Sequence, residues 1–226
     1  YAARYVSSNA ANAIISEVGP YRISTDALQA LNQFLDEILG MLLSKAQSLD
    51  LSRIKAVALQ ILPSSLGKNA IVEAELEVKT LTETEVIDYE AYERMRQLGS
   101  DGNFPLQSSI QQLRERCLYY STLADREGDA SFNDISDKTV ISPILAIYVT
   151  TIIEHLAEYL LTTVAVAAEQ EDTEFVRVRE VFSALVDDSH VSDAFSKMEL
   201  KERLEVSSKT KGQEKGMMCT FGNLGS

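Results

Sequence analysis

The feature that most constrains this sequence is a long apolar stretch, Ile144 to Ala168, whose apolar residues recur at helical spacing on nearly every face. Ser142 is placed to cap a helix here, and Pro143 suits its first position because no backbone N–H is needed there. We predict a helix from this point to about Gln170, roughly 40 Å long at 1.5 Å per residue. Because it is apolar nearly all round, it must be covered along most of its length.

Polar residues and overall charge limit what this chain binds. Glu154, His155 and Glu158 interrupt the apolar stretch, so it does not predict a membrane span. The formal net charge is −13, from 34 acidic and 21 basic residues. Such a charge repels anionic lipid and the phosphates of nucleic acids, whose binding needs Lys and Arg. We therefore expect neither a membrane nor a nucleic acid as partner.

A second long helical pattern lies near the start of the chain. Ser24 or Thr25 can cap it, Asp26 lies in its first turn, and it is expected to end at about Ser48. Its apolar stripe is too wide for a coiled-coil seam, which predicts a central helix rather than a surface one. The residues predicted to form the core between the two long helices are Leu31, Leu35, Ile38, Leu42, Tyr148, Ile152, Leu156 and Leu160.

The short segments around each long helix follow one plan. Shorter amphipathic stretches precede the long helices at 9–18 and 108–120. Extended links at 50–54 and 174–178 follow them, and each link leads to a short helix, at 56–62 and 180–186. A repeated unit whose central helix is too apolar to stand alone predicts that the two units bury each other. The predicted fold class is all-α.

Four segments result from this division. Residues 1–98 are the first unit with connecting helices at 71–81 and 89–98, and residues 99–107 are a linker that contains a Gly-rich turn cluster. Residues 108–206 are the second unit, with a polar insertion at 125–138, and residues 207–226 are expected to be a disordered tail. Because the first residue is Tyr1 and not methionine, we expect the chain to be part of a longer protein.

Short helix, long helix and short helix, joined by extended links, is the plan of the histone fold. In the second half, Ala146-Ile147-Tyr148 followed by Ile152-Ile153-Glu154-His155-Leu156 resembles the central helix of core histone two-A. Arg177-Val178 and Asp187-Asp188 resemble that histone's second link and acidic turn. In the first half, Arg53-Ile54 and Leu59-Gln60 keep the Arg-Ile to Leu-Gln spacing of the same family.

The resemblance implies two histone folds in one chain, packed as an intramolecular handshake pseudo-dimer. In such a pair the extended links associate across the two halves, and the long helices cross at their middles. The plan is similar to the histone-like module of the Ras exchange factor Son of Sevenless and to certain transcription-complex subunits. The resemblance also places part of an acidic docking patch on this chain. Its candidate residues are Glu154, Glu158, Asp187 and Asp188.

Candidate catalytic and metal-binding residues are few. The sequence has no phosphate-binding loop, and the pair His155 and Glu158 lacks the further ligands of a metal site. We expect His155 to pack in the core and His190 to be a surface residue, so neither a catalytic site nor a cofactor is predicted. Cys117 and Cys219 form no disulfide framework, which favours a reducing, intracellular compartment, either cytoplasm or nucleus.

These observations favour a non-catalytic module for protein interaction or heterodimerization, with a scaffolding or regulatory role in a larger protein. Its partner would be another protein or another domain of the same protein, and internal pairing of the halves would keep the chain monomeric. The alternative is a chromatin or transcription-complex subunit that contacts DNA or histone-like partners. Missing basic tails and the acidic charge count against that alternative.

Overall fold

The computed structural model describes residues 4–125 and 141–207. Within these residues the chain forms ten helices and one short pairing of two parallel strands, so the predicted all-α class is confirmed. Nearly all of the predicted polar insertion and of the predicted tail lies outside the described residues. The boundaries proposed for the two units and the linker remain predictions.

The amino-terminal elements are α1 (Ser8–Ser16), β1 (Arg22–Ile23), α2 (Thr25–Ala46), α3 (Leu51–Ile61), α4 (Ser65–Thr84) and α5 (Tyr89–Arg96). The carboxyl-terminal elements are α6 (Leu106–Tyr120), α7 (Pro143–Gln170), β2 (Phe175–Val176), α8 (Val178–Asp187), α9 (Ser192–Ser196) and α10 (199–207). The sequence patterns predicted neither α9 nor α10.

The two long helices begin at the predicted caps. The Ser24 side chain accepts a hydrogen bond from the Ala27 N–H, and the Ser142 side chain accepts one from the Ile144 N–H. The end of α7 falls at the predicted residue, and α2 ends two residues earlier than expected. The eight predicted core residues are each at most 3% exposed and belong to one continuous cluster: Leu31, Leu35, Ile38, Leu42, Tyr148, Ile152, Leu156 and Leu160.

The link after α2 is shorter than predicted. Residues 50–54 were expected to be extended, but α3 already begins at Leu51. Gln47 adopts a left-handed conformation with φ of 47°, which ends α2 abruptly and turns the chain within a few residues. The buried residues of α3 are Ile54, Val57, Ala58 and Ile61, and their helical spacing forms one buried face that begins in the first turn.

Helix α4 is longer than the predicted 71–81 and packs along α7, in the most extensive contact between two elements of the described chain. Its beginning depends on Gly67, because a Cβ atom there would lie 2.0 Å from the Leu62 carbonyl oxygen. Only glycine allows α4 to start this close to the end of α3. The segment predicted as a connector therefore forms part of the covering of α7.

The two strands join distant parts of the chain. Arg22 lies opposite Phe175 and Ile23 opposite Val176, in parallel register. The Arg22 N–H donates to the Glu174 carbonyl oxygen at 3.2 Å, and the Ser24 N–H donates to that of Val176 at 2.9 Å. The pairing ties the link before α2 to the link after α7.

Helix α2 contacts α6, α7 and α8, and α1 also contacts α7. A partly buried polar link reinforces this packing. The Asp36 carboxylate accepts two hydrogen bonds from the Arg114 guanidinium, each 2.8 Å, and one from the Tyr5 hydroxyl at 2.6 Å. Such bidentate pairs with an additional donor are among the stronger polar contacts in proteins. The amino-terminal and carboxyl-terminal elements therefore share one core.

By length and composition, α7 is the one helix in the described residues that could cross a membrane. However, 67% of its most apolar window is buried inside the protein. Such burial is typical of a core helix that other elements cover.

The first prediction concerns this core. Leu156 is fully buried at the centre of α7, so Leu156→Ala should lower the free energy of unfolding by about 2–5 kcal/mol. Leu76, on α4, is 58% exposed, and Leu76→Ala should change the free energy of unfolding by less than about 0.5 kcal/mol. Urea unfolding followed by circular dichroism measures both. Equal effects of the two substitutions would contradict the packing described here.

Glu180 anchors the start of α8. Its side chain is 1% exposed and accepts hydrogen bonds from the Arg177 backbone N–H at 2.8 Å and the Arg177 Nη2 at 2.6 Å. Burial alone would raise the pKa of Glu180, but the bonds and the charge of Arg177 outweigh it, so this pKa lies below its ordinary value. The ionised form is therefore the one that stabilises the fold.

The second prediction follows from this lowered pKa. Glu180→Gln should reduce the free energy of unfolding by about 1–3 kcal/mol at neutral pH. Because the pKa is lower in the folded than in the unfolded chain, this contribution is present above about pH 4.3 and is lost as the pH falls further. Urea titrations at decreasing pH should show the difference shrinking. The control Glu202→Gln, at an exposed position, should change the free energy of unfolding at neutral pH by less than about 0.5 kcal/mol. A difference independent of pH would contradict the assignment.

Candidate functional site

A groove of about 330 Å³ lies between α4 and α7 and is bordered by the end of α6. We call it the α4–α7 groove. Its lining residues are Glu73, Leu76 and Glu77 from α4, Tyr120 and Thr122 from the end of α6 and the residues after it, and Ile147, Thr150, Thr151, Glu154, His155 and Glu158 from α7.

The groove exists because one stripe of α7 is left uncovered. Ile147, Thr151, Glu154 and Glu158 follow one another at intervals of three or four residues, so they share one face of the helix. All four are at least partly exposed, whereas most of the α7 residues between them are buried. On the opposite wall, Leu76 of α4 is 58% exposed. The groove thus combines an accessible apolar surface with polar edges.

The charge of the groove is of one sign. Four carboxylates line it, those of Glu73, Glu77, Glu154 and Glu158, and no Lys or Arg does so within the described chain. The Nδ1 atom of His155 lies 2.8 Å from the Glu73 carboxylate and joins the two walls. The groove therefore attracts cationic groups and repels anionic ones.

Glu154 already has a structural role. Its carboxylate accepts hydrogen bonds from the backbone N–H of Thr122 at 2.8 Å and from the Thr122 hydroxyl at 3.2 Å. Burial raises the pKa of Glu154 above its ordinary value, because desolvation outweighs these bonds. Glu154 thus holds the segment after α6 against α7. Glu77 and Glu158 make no ion pair within the described residues and are open to a cation from outside.

The predicted acidic patch is divided in the structure. Glu154 and Glu158 line the α4–α7 groove, whereas Asp187 and Asp188 lie at the end of α8 and do not line it. Asp188 accepts hydrogen bonds from the Tyr159 hydroxyl at 2.5 Å and from the His190 N–H at 2.8 Å. Asp187 is exposed.

Both histidines link separate elements of the fold. His155 was expected to pack in the core, but its side chain is 19% exposed and lies in the wall of the groove, paired with Glu73. The expectation was wrong because α4 supplies a partner that the pattern of α7 alone does not reveal. His190 was expected at the surface, and it is partly buried, with Nδ1 at 2.5 Å from the Ser64 hydroxyl and its ring against Tyr159.

The described residues hold no group of three His, Cys, Asp or Glu side chains that could bind a metal ion. Cys117 is fully buried, and burial raises its pKa to about 12, so its thiol stays protonated at neutral pH. What the groove offers chemically is negative charge beside an apolar surface. That combination suits binding.

The three groove residues on α4, Glu73, Leu76 and Glu77, were missed in the sequence. They lie in the segment assigned to a connector, and only their contact with α7 makes them part of a site. A signal was present, because Val72 and Leu76 are apolar, one helical turn apart and flanked by acids. Both are more than half exposed.

The third prediction compares two acids one helical turn apart. Glu154→Ala should lower the free energy of unfolding by about 1–2 kcal/mol, because the Thr122 N–H loses its acceptor. Glu158→Ala should leave it within about 0.5 kcal/mol, since Glu158 is exposed. Thermal and urea unfolding of both variants tests the distinction. If Glu158→Ala were the more damaging, Glu158 would be structural and not free to bind.

No protein-family model and no curated protein matches this sequence. What the groove binds must therefore be inferred from its geometry and charge.

Proposed function

We propose that this chain is a double histone-fold module that docks a protein partner and has no catalytic role. The observation that carries the proposal is the parallel pairing of β1 with β2, which joins a link before one long helix to a link after the other. A handshake pair of histone folds requires this pairing. The one-chain arrangement makes the pair intramolecular.

The order of elements supports the same assignment. Short α1, long α2 and short α3 form one three-helix unit, and short α6, long α7 and short α8 form the other. Helix α2 of the first unit contacts all three helices of the second. Helices α4 and α5, which connect the units, and α9 and α10, which follow them, are additions to the plan of two histone folds.

Docking of a protein is favoured over binding of DNA by the distribution of charge. The chain carries a formal net charge of −13. Near the paired strands, where arginines could meet phosphates, two of them are neutralised. Arg177 is paired with Glu180 at 2.6 Å and Arg179 with Glu171 at 3.6 Å. Arg22 of β1 is exposed and makes no ion pair among the described residues, so one free cation remains beside the strands. Phosphate contacts need several free cations, and the net charge therefore carries most of the argument against DNA.

The fourth prediction tests the internal pairing. The whole chain should be a monomer, whereas residues 1–104 or 105–226 alone should aggregate or stay unfolded, because each leaves its long helix uncovered. Light scattering after size exclusion, together with circular dichroism, measures both properties. Mixing the two fragments should restore helical structure. A stable, monomeric single fragment would contradict the proposed pairing.

Fluorescence anisotropy of labelled duplex DNA across a salt series tests the docking function against the chromatin alternative, with core histones as positive control. We expect no binding by this chain even at low salt. Binding that falls steeply as salt rises would favour a chromatin or transcription-complex subunit, because the slope reports the number of phosphates that the protein neutralises.

A further inference from the structure

The uncovered stripe of α7 has the dimensions of a helix-binding surface. From Ile147 to Glu158 it covers twelve residues, whose eleven rises of 1.5 Å give a length of about 16 Å, or three helical turns. Helix α4 forms a second wall beside it, so a further helix laid in the groove would contact both. Grooves between helices commonly accept amphipathic helices in this way.

The acidity of the groove is local and does not simply follow from the net charge of the chain. A second groove, of about 360 Å³, lies beside α2, and the charged residues that line it are balanced. They are the acids Asp36, Glu37 and Glu199 and the bases Lys45, Arg114 and Lys197. The α4–α7 groove has four acids and, among the residues described, no Lys or Arg. The difference points to a cationic ligand for this groove alone.

We propose that the α4–α7 groove binds a basic amphipathic helix of a protein partner, with Leu-like side chains facing the groove and Lys or Arg side chains along the edges. This inference rests on the proposed docking function and names the class of partner. Leu76 and Ile147 contact the apolar stripe of the incoming helix. Glu77 and Glu158 pair with its cations, while Glu73 and Glu154 remain engaged with His155 and Thr122.

The probe is a synthetic, fluorescently labelled peptide of about 18 residues, five helical turns, with Leu at helical spacing and Lys on the flanking positions. Its control has the same composition in an order that destroys the apolar stripe. Anisotropy titrations with the full chain should give clearly tighter binding of the striped peptide. Equal binding of the two peptides would overturn the proposal, because binding would then follow charge alone, and absence of binding would overturn it as well.

Matched charge reversals locate the site. Glu77→Lys with Glu158→Lys should weaken binding by about tenfold or more, since each edge of the groove then repels the peptide. Glu17→Lys with Glu202→Lys changes the net charge equally at two exposed positions outside the groove, and it should alter binding by no more than about twofold. Equal weakening by the two pairs would overturn the proposal, and circular dichroism verifies that each variant is folded.

Leu76→Ala tests the apolar contribution, which salt does not screen. It should weaken binding by about three- to tenfold at both low and high salt. Unchanged binding would overturn the proposed contact with Leu76. The DNA titration above separates this inference from the function it rests on. If the chain does not bind DNA, failure of the peptide tests contradicts only the proposal for the groove. Salt-sensitive DNA binding would instead contradict the proposed docking function itself.

Discussion

The fold depends on the need to cover α7. Its side chains are apolar on almost every face, and most of its length is buried. Neither part of the chain provides that cover alone. Helices α1, α2 and α4, from the amino-terminal part of the sequence, contact α7, and so do α6 and α8 from the carboxyl-terminal part. Apolar burial contributes about 25 cal/mol per Å² removed from water, so exposing α7 would cost more than a small unit can supply. The two parts must therefore fold together.

Apolar packing alone has little directionality, and polar contacts that are buried or partly buried set how the elements align. The Asn32 side chain, on the buried face of α2, accepts a hydrogen bond from the Val6 N–H and donates one to the Val6 carbonyl oxygen. Asp36, one turn further, joins Arg114 of α6 and Tyr5. Each contact leaves a costly unsatisfied group if the helices shift by one turn. These contacts give α2 one favoured position against its neighbours.

Local signals explain which elements could be predicted. The bounds of α7 follow from the Ser142 cap, from Pro143 and from apolar residues that recur at helical spacing to Ala168, all of which are local signals. The start of α3 could not be predicted, because it depends on Gln47 adopting a left-handed conformation. Helix α10 was missed for a different reason. The Glu37 carboxylate of α2 accepts hydrogen bonds from the backbone N–H groups of Glu199 and Leu200, a cap that is distant in sequence.

The same distinction between local signals and tertiary contacts applies to the groove. The acids on α7 could be identified from sequence, since Glu154 and Glu158 interrupt an apolar stretch. The opposite wall of the groove could not be identified from sequence, because α4 was assigned to a connector and its contact with α7 is tertiary. An acid within an apolar helix destabilises the fold unless water, a cation or a hydrogen-bond donor reaches it. Thr122 supplies the donors to Glu154, and water reaches the exposed Glu158. The residues that argue against a membrane span therefore also require that this face of α7 stay open, and the groove is the consequence.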